Sequence, residues 1–452
     1  MHVTQLKLTN FRRFGELTIP FCNNEAGASR PKTIVFIGNN GAGKTAILDA
    51  LALNLSWLVA RINREKGSGG SLADADILNG KNGSAIDLQI DYNQSTYHWV
   101  LSKTRKGRVK SLDSQLSEVT KLAVCFREQL TNDPQASLPL IANYPIERVV
   151  LDIPLKIRTR HNFDQLDGYD NSLQQGVDFR RFFEWFRDRE DAENEIRSSQ
   201  MQQQIKELLD QFRTENNLEK IPELFKAIDL LKATARDRQL TAIRIAIKSF
   251  MPDFDNLRVQ RKPRLQMLID KNGKALDVGQ LSQGEKSLMA LVGDIARRLA
   301  MMNPALENPL EGSGIVLIDE VDMHLHPNWQ RAIIGNLNKT FPNCQFIVTT
   351  HSPIVISETP NLLCYALNNG ELEVLPNLYG MDVNQVLLQD MDADIRNADI
   401  QNALDQLRDN LQDGKLEAAK QLLANLESKI AIDHLELNKA RLLIRRLEIQ
   451  RA

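Results

Sequence analysis

Cysteine is scarce: four in 452 residues, at Cys22, Cys125, Cys344 and Cys364, widely scattered and without a CxxC pair. That excludes a disulfide framework or a zinc ribbon and suits a reducing compartment. Charge imbalance is missing as well. Fifty-six cations against 58 acids leave a net charge of −2, so no global field pulls the chain toward nucleic acid or membrane. No apolar run approaches the ~20 residues of a membrane span. Met1-His2-Val3-Thr4 lacks the basic-then-apolar pattern of a leader. The expectation is a soluble, cytoplasmic protein of roughly two to four domains.

What is present begins with Gly38-Asn39-Asn40-Gly41-Ala42-Gly43-Lys44-Thr45. It follows the β-branched run Thr33-Ile34-Val35-Phe36-Ile37 and precedes the helical stretch Ala46-Ile47-Leu48-Asp49-Ala50-Leu51. This is a phosphate-binding loop in the strand–loop–helix setting it requires. The glycines let backbone N–H groups surround a polyphosphate, and the following helix points its positive end there. Lys44 is expected to reach the β- and γ-phosphates, and the Thr45 hydroxyl to bind Mg²⁺. The chain is expected to bind a nucleoside triphosphate.

Strand patterns dominate the first part of the chain. Val3 to Leu8, Ala85 to Ile90 and Tyr97 to Leu101 alternate with period two, and Leu138 to Tyr144 reads as a buried strand ending near Pro145. From about 170 to 250 the pattern is helical: Phe179, Phe182, Phe183 and Phe186 form an apolar face, followed by a charged run from Arg187 to Arg197 and Gln200 to Gln204. Strands resume at Leu257-Arg258-Val259 and Arg264 to Ile269, with a hairpin turn at Asp270-Lys271-Asn272-Gly273. Gly314 to Ile318 and Gln345 to Thr350 are fully apolar, as inside parallel sheets. After Gly380 the chain is helical again, with leucine faces at Leu404, Leu407 and Leu411, at Leu416, Leu422, Leu423 and Leu426, and at Leu435, Leu442, Leu443 and Leu447.

Gly314 to Ile318 ends in Asp319-Glu320. Asp319 is placed to hold Mg²⁺, and Glu320 to orient and deprotonate an attacking water. Leu281-Ser282-Gln283-Gly284-Glu285 opens a helix; Ser282 followed by Glu285 also reads as an ordinary capping box. Val321 to Pro327 contains His324-Leu325-His326, whose spacing also suits a metal pair. Thr350-His351-Ser352 follows another buried strand.

In this order the four motifs resemble the ATP-binding-cassette ATPase superfamily, in the branch of chromosome-maintenance and recombination ATPases. The core of the resemblance covers about residues 1–60 and 255–375. It implies an α/β fold: an ABC-type P-loop ATPase head with a β-rich N-terminal lobe, a helical insertion and a C-terminal helical tail. It makes Leu281 to Glu285 the signature motif, completing an ATP site on a second subunit, with two ATPs sandwiched head to tail. His324 and His326 then fall in the D-loop. His351 is similar to the switch histidine, against the alternative of a structural, buried histidine. Arg12 and Arg13, in Asn10-Phe11-Arg12-Arg13-Phe14, match a basic pair near the nucleotide, against a solvated surface pair. Gln129 and Asn143 are candidates for the glutamine loop. From Thr45 to Leu281 the gap is 281 − 45 = 236 residues, room for a compact helical insert and not for a long coiled coil. The implied domains are 1–155 (N-terminal ATPase lobe), 156–253 (helical insertion), 254–378 (C-terminal ATPase lobe) and 379–452 (helical tail, partner docking).

A closer family also fits. Leu138 to Asn143 with Tyr144-Pro145-Ile146-Glu147-Arg148, Phe182 to Arg187 with Glu190 to Asn194, and His324 to Pro327 resemble the antiphage ATPases of Septu and of retrons with Septu-type effectors. That resemblance implies ATP and Mg²⁺ as cofactors, a homodimer or higher homo-oligomer, and a separate HNH nuclease subunit. In retrons it further implies a reverse transcriptase with its RNA–DNA hybrid. DNA contact is read at Lys103, Arg105, Lys106, Arg108 and Lys110, and again over Arg236 to Arg264; a solvated charged face is the alternative for both. Asp392 and Asp394 form a lone Asp-x-Asp in an acidic region, which reads as surface charge and not as a nuclease motif. A DNA-repair ATPase acting on ends or gaps is the competing reading. The motor subunit of a membrane transporter fits less well, because the insert and tail do not look built to dock on transmembrane helices.

Overall fold

Apolar runs without alternation bury both faces of a strand, and here they build the central sheet. The computed structural model describes residues 1–22, 31–109, 112–146, 163–173, 179–195, 237–368, 370–389, 398–430 and 435–451. The strands are β1 (His2–Phe11), β2 (Phe14–Pro20), β3 (Thr33–Ile37), β4 (Gly83–Tyr92), β5 (Ser95–Thr104) and β6 (Leu140–Tyr144). They continue with β7 (Phe254–Gln260), β8 (Gln266–Lys271), β9 (Lys274–Asp277), β10 (Gly314–Ile318), β11 (Cys344–Thr349), β12 (Leu363–Asn368) and β13 (Glu371–Val374). Six of them form one sheet in the order β13-β12-β3-β11-β10-β6. Only the β13 edge is antiparallel; β12, β3, β11, β10 and β6 run parallel. Leu138, read as part of β6, lies before it. Pro139 has no N–H to give a ladder, and the Leu138 N–H instead donates to the Met302 carbonyl at 3.1 Å.

β2-β1-β4-β5 form an antiparallel sheet, and β7-β8-β9 a small meander turned by Asn272 and Gly273, both at positive φ. Gln345 of β11 joins the first sheet to the central one: its side chain accepts from Val3 N at 2.7 Å and donates to Val3 O at 3.0 Å. Between them runs the 20-residue helix Lys44–Asn63, in which an 18-residue window has a mean hydropathy of 1.4, enough by length and composition alone for a membrane span. This corrects the expectation that no stretch reaches that length. Its apolar faces are turned inward: Ile47, Leu48, Leu51, Leu55 and Leu58 are buried, and buried Asn54 donates to Ile86 O of β4 at 3.0 Å.

Of the expected helical insertion, the helix over 179–195 and the helix Arg238–Phe250 belong to one compact unit, Met1–Met381, with the residues expected to form the two lobes. Phe182 lies against Gly293 of the helix Gln283–Met302, where a Cβ would meet its ring at 3.0 Å. The Gln200 to Gln204 segment falls outside the described residues, as do Glu147, Arg148, Asp392 and Asp394.

The second unit, Asp382–Ala452, contains the helices Ala398–Gln412, Leu416–Lys429 and Leu435–Arg451, packed through Leu404, Leu407, Leu411, Ala419, Leu423, Leu426, Leu437, Ala440 and Ile444. Its last helix divides the leucines read as one face, with Leu447 packed against this core. Leu437, Ala440 and Ile444, at helical spacing, turn inward, leaving Leu435, Leu442 and Leu443 exposed.

One polar cluster is buried completely. Asp294 of the helix Gln283–Met302 takes Arg297 Nη2 and Arg298 Nε, each at 2.7 Å, and the Tyr144 hydroxyl at 2.9 Å. Arg298 also donates to the Gly168 and Asp170 carbonyls at 2.6 and 3.0 Å. Burial alone would raise the Asp294 pKa; Arg298 and Arg297 outweigh it and hold the carboxyl at about 2. An unfolded aspartate titrates near 3.9, so the stabilisation is complete above that value and is lost as pH falls through the folded one. Asp294→Ala strands two guanidiniums and is expected to cost about 3–5 kcal/mol, read as a lower denaturant midpoint; an unchanged midpoint contradicts this role.

Candidate nucleotide site

Because β3, β11, β10 and β6 are parallel, the residues following each strand gather at one sheet edge, where open α/β sheets place ligands. After β3 comes the phosphate loop, Gly38 to Thr45. A Cβ on Gly38 (φ 144°) would collide with the Leu367 carbonyl oxygen, and one on Gly43 (φ 111°) would stand 2.6 Å from the Phe14 ring. Both positions therefore exclude side chains. Lys44 Nζ donates to the Gly38 and Asn39 carbonyls at 2.8 and 3.3 Å, holding the loop around its charge. Burial lowers the Lys44 pKa, opposed by Asp319, Glu320 and Asp322. Asn40 and Gly41 are exposed at the loop's tip, and the Ala42 N–H closes a turn on Asn39 O at 3.0 Å.

The acidic pair follows β10. Thr45 Oγ1 donates to Asp319 Oδ2 at 2.8 Å, joining residues 274 apart in sequence. Thr349, at the end of β11, was not singled out from the sequence. Its buried hydroxyl accepts from Glu320 N at 2.7 Å and donates to Asp319 Oδ1. Glu320 has φ 46°, a sparsely populated conformation for a residue with a side chain, which costs about 1–3 kcal/mol and is typical of functional positions. His351 Nε2 lies 3.9 Å from Glu320 Oε1. Burial lowers the His351 pKa, and Lys44 adds to this against Glu320, Asp322 and Asp319. Thr45 and Asp319 supply touching hard-oxygen donors, the ligand chemistry of Mg²⁺.

Ser282 caps the helix Gln283–Met302: its hydroxyl accepts from Glu285 N at 3.4 Å, and Glu285 Oε2 accepts from Ser282 N at 2.8 Å. The capping box is thus formed. It still leaves the Ser282 proton and the first-turn N–H groups of Gln283 and Gly284 available to an anion. Lys271 of β8 grips Glu285 at 2.6 Å. Burial works to raise the Glu285 pKa, but bonds from Lys271 and Ser282 bring it below the usual carboxylate range. Leu281 is buried beneath this turn.

His326 Nδ1 accepts from Asn328 N at 3.3 Å and caps the helix Pro327–Thr340. His324 (φ 62°) sets its carbonyl oxygen where a Cβ on Gly284 would collide with it. Among the described residues no group of three or more His, Cys, Asp or Glu is arranged to hold a metal. Arg13 donates to the Gly41 carbonyl, whereas Arg12 is held by Asp49 at 2.7 Å and Asp76 at 2.9 Å. Gln129 is bonded to the Tyr92 hydroxyl at 3.2 Å on the helix Ser117–Asn132. Asn143 sits in β6 beside Tyr144, whose carbonyl accepts from Asp319 N at 2.9 Å.

The cationic stretches divide. Arg244 pairs with Glu190 and Glu193 inside the insertion, Lys248 with Asp255 and Arg261 with Glu190 and Asp191 tie the insertion to β7 and the loop after it, and Arg258 pairs with Asp270 across β7 and β8. This pairing is what the alternative of a charged structural face expects of these four; Lys262 and Arg264 of the same stretch are exposed. Lys103 pairs with Asp74 at 3.0 Å and Arg105 donates to Ile77 O at 3.4 Å, while Lys106 and Arg108 are exposed. Lys110 and Arg236 lie outside the described residues.

Thr349→Val removes the hydroxyl shared by Asp319 and Glu320. The expected outcome is a roughly 10- to 100-fold weaker Mg²⁺ requirement curve, read by Mg²⁺ titration of nucleotide turnover; an unshifted curve contradicts the bridging role.

The family model described as "AAA domain, putative AbiEii toxin, Type IV TA system" matches residues 34–357. The chain is 34% identical to the Retron Ec83 probable ATPase of Escherichia coli over 398 residues, 82% of this chain and 72% of that protein. It is 35% identical to the Retron Vc95 probable ATPase of Vibrio cholerae over 378 residues, 79% of this chain and 71% of that protein. The Septu protein PtuA of Bacillus mycoides is 40% identical over 95 residues, 21% of this chain and 12% of that one. Among solved structures, the SMC head domain from Thermotoga maritima is 16% identical with a TM-score of 0.41, over 83% of this chain and 99% of that one. With the family match spanning most of its length and the two retron relatives aligned beyond it, this chain belongs to that AAA-domain family.

Proposed function

We propose that this chain is the ATPase subunit of an antiphage defence complex of retron or Septu type. It dimerises with ATP sandwiched between copies, and its nucleotide state controls an associated HNH nuclease. The observation that carries the reading is the web in which Thr45, Asp319, Thr349 and Glu320 hold one another at the mouth of the phosphate loop. Two relatives named as retron ATPases support the setting.

In this reading Lys44 and the loop N–H groups hold the β- and γ-phosphates. Thr45 and Asp319 would hold a Mg²⁺, whose chemistry there would be to neutralise phosphate charge. Glu320 orients the attacking water and takes its proton. His351 donates a hydrogen bond toward the γ-phosphate. Ser282 and the first-turn N–H groups of its helix face the nucleotide of the other copy. The exposed Leu435, Leu442, Leu443 and Ile449 of the tail offer apolar area to a partner. In a retron that assembly includes a reverse transcriptase with its RNA–DNA hybrid.

Exposed Lys106 and Arg108 favour a second reading, a DNA-repair ATPase. Co-expression with a neighbouring HNH gene separates the two. Toxicity dependent on both genes is expected for the defence subunit; DNA-stimulated turnover without any nuclease partner supports repair.

Glu320→Gln is expected to keep ATP and accumulate a nucleotide-bound dimer in sedimentation, with turnover at least about 100-fold down; unchanged turnover removes Glu320 as the base. Reversing Lys106 and Arg108 is expected to flatten the salt dependence of DNA binding by about 0.9 in log–log slope for each phosphate the loop no longer neutralises. Identical slopes exclude that loop.

A further inference from the structure

The loop bearing His351 is anchored on both sides of the histidine to the D-loop, and one side chain outside the named motifs closes the connection. Thr350 Oγ1 donates to Asp322 Oδ1 and accepts from Ser352 N at 2.9 Å. The buried Ser352 hydroxyl donates to Gln330 Oε1 at 2.9 Å. Gln330 Nε2 returns to the D-loop, donating to Leu325 O at 3.0 Å and Asp322 O at 3.4 Å. Asp322 therefore stands at both ends of a closed ring. A primary amide is the group this position requires, because it must give protons to two carbonyls while accepting one from a hydroxyl. Gln330 is itself held in the first turn of the helix Pro327–Thr340, which starts at the His326 cap. From the same D-loop turn, the His324 carbonyl abuts Gly284, the position with no room for a side chain at the start of the Ser282-capped helix.

We propose that Gln330 is a positioning residue that locks the switch loop to the D-loop, so that the state of His351 on one copy's nucleotide fixes the D-loop and the Ser282 turn presented to the other copy. This rests on the composite-site reading above. Switch loop, D-loop and signature turn then move as one body, and turnover requires that body to be in register. ATP capture by the phosphate loop does not, since none of the Lys44 and Thr45 contacts passes through Gln330.

Such coupling needs direct energetic evidence. The experiment compares the full-length wild type, Gln330→Leu, Ser352→Ala and the double variant. It measures affinity for a non-hydrolysable ATP analogue, kcat, analogue-induced self-association and thermal midpoint. Gln330→Leu is expected to bind the analogue within about threefold of wild type, to lose about 10- to 100-fold in kcat and to lose self-association. Ser352→Ala breaks the same ring from its other end and gives the same split if Gln330→Leu does not fold. The double variant should be no slower than the slower single one, as for residues acting in one network. Wild-type kcat in both single variants, or losses that multiply in the double, overturns the proposal. So does an affinity loss matching the kcat loss, because the residue then only supports the fold. Failure of the wild type to self-associate overturns the composite-site reading instead, and is read separately from the kcat cycle.

Discussion

The contact between the Thr45 hydroxyl and the Asp319 carboxylate is the constraint on which this structure depends. The two residues are far apart in sequence, and they meet because β3 and β10 flank β11 in a parallel sheet whose strand ends share one edge. Parallel strands require long crossovers, and the chain spends these on the first sheet, the insertion and the Ser282-capped helix. Each crossover returns to the same edge with one more piece of the site. The loop after β3 brings the glycine turns and Lys44, β10 the two acids, and β11 the hydroxyl of Thr349 and the histidine behind it.

Concentrating charge at that edge is unfavourable, and the structure offsets it locally. Lys44 is buried but hydrogen-bonded to two carbonyls and faces three carboxylates. Glu320 holds a left-handed backbone while its N–H is caught by Thr349. Behind the site, Tyr144 links the two halves of the unit: its backbone carbonyl holds Asp319 N, and its hydroxyl holds Asp294 in the Ser282-capped helix. The acidic pair and that helix are thereby tied to one strand end.

Much of the fold was legible because its signals are local. Gly38 to Thr45, the apolar runs ending at Ile318 and Thr349, and the Asn272-Gly273 turn each carry their meaning within a few residues. What was not legible depends on long-range partners. β12 went unread although Leu363 to Leu367 is an apolar run closed by a turn at Gly370; only its pairing with β3 makes it a strand of the central sheet. Thr349, Gln330 and Ser352 are ordinary polar residues until the fold sets them against Asp319, Asp322 and Leu325. The acidic partners of Arg244 and Arg261, Glu190 and Glu193, are more than fifty residues earlier in the sequence, so the pairing that opposes a nucleic-acid reading there was not legible. In the last helix, the sequence showed a leucine face at Leu435, Leu442, Leu443 and Leu447 but not that Leu437, Ala440 and Ile444 would fill the core instead, a choice settled by the neighbouring helices.

The central claim is that each active centre is built from two copies. Mixing two inactive variants tests it most directly: Lys44→Ala, which disables the phosphate loop, and Ser282→Arg, which blocks the capped turn. A mixed dimer of these regains one site with both halves intact, so ATPase activity should reappear on mixing. If the mixture stays as inactive as its components while mixed dimers are detected, or if Ser282→Arg alone turns over normally, the shared-site account is wrong.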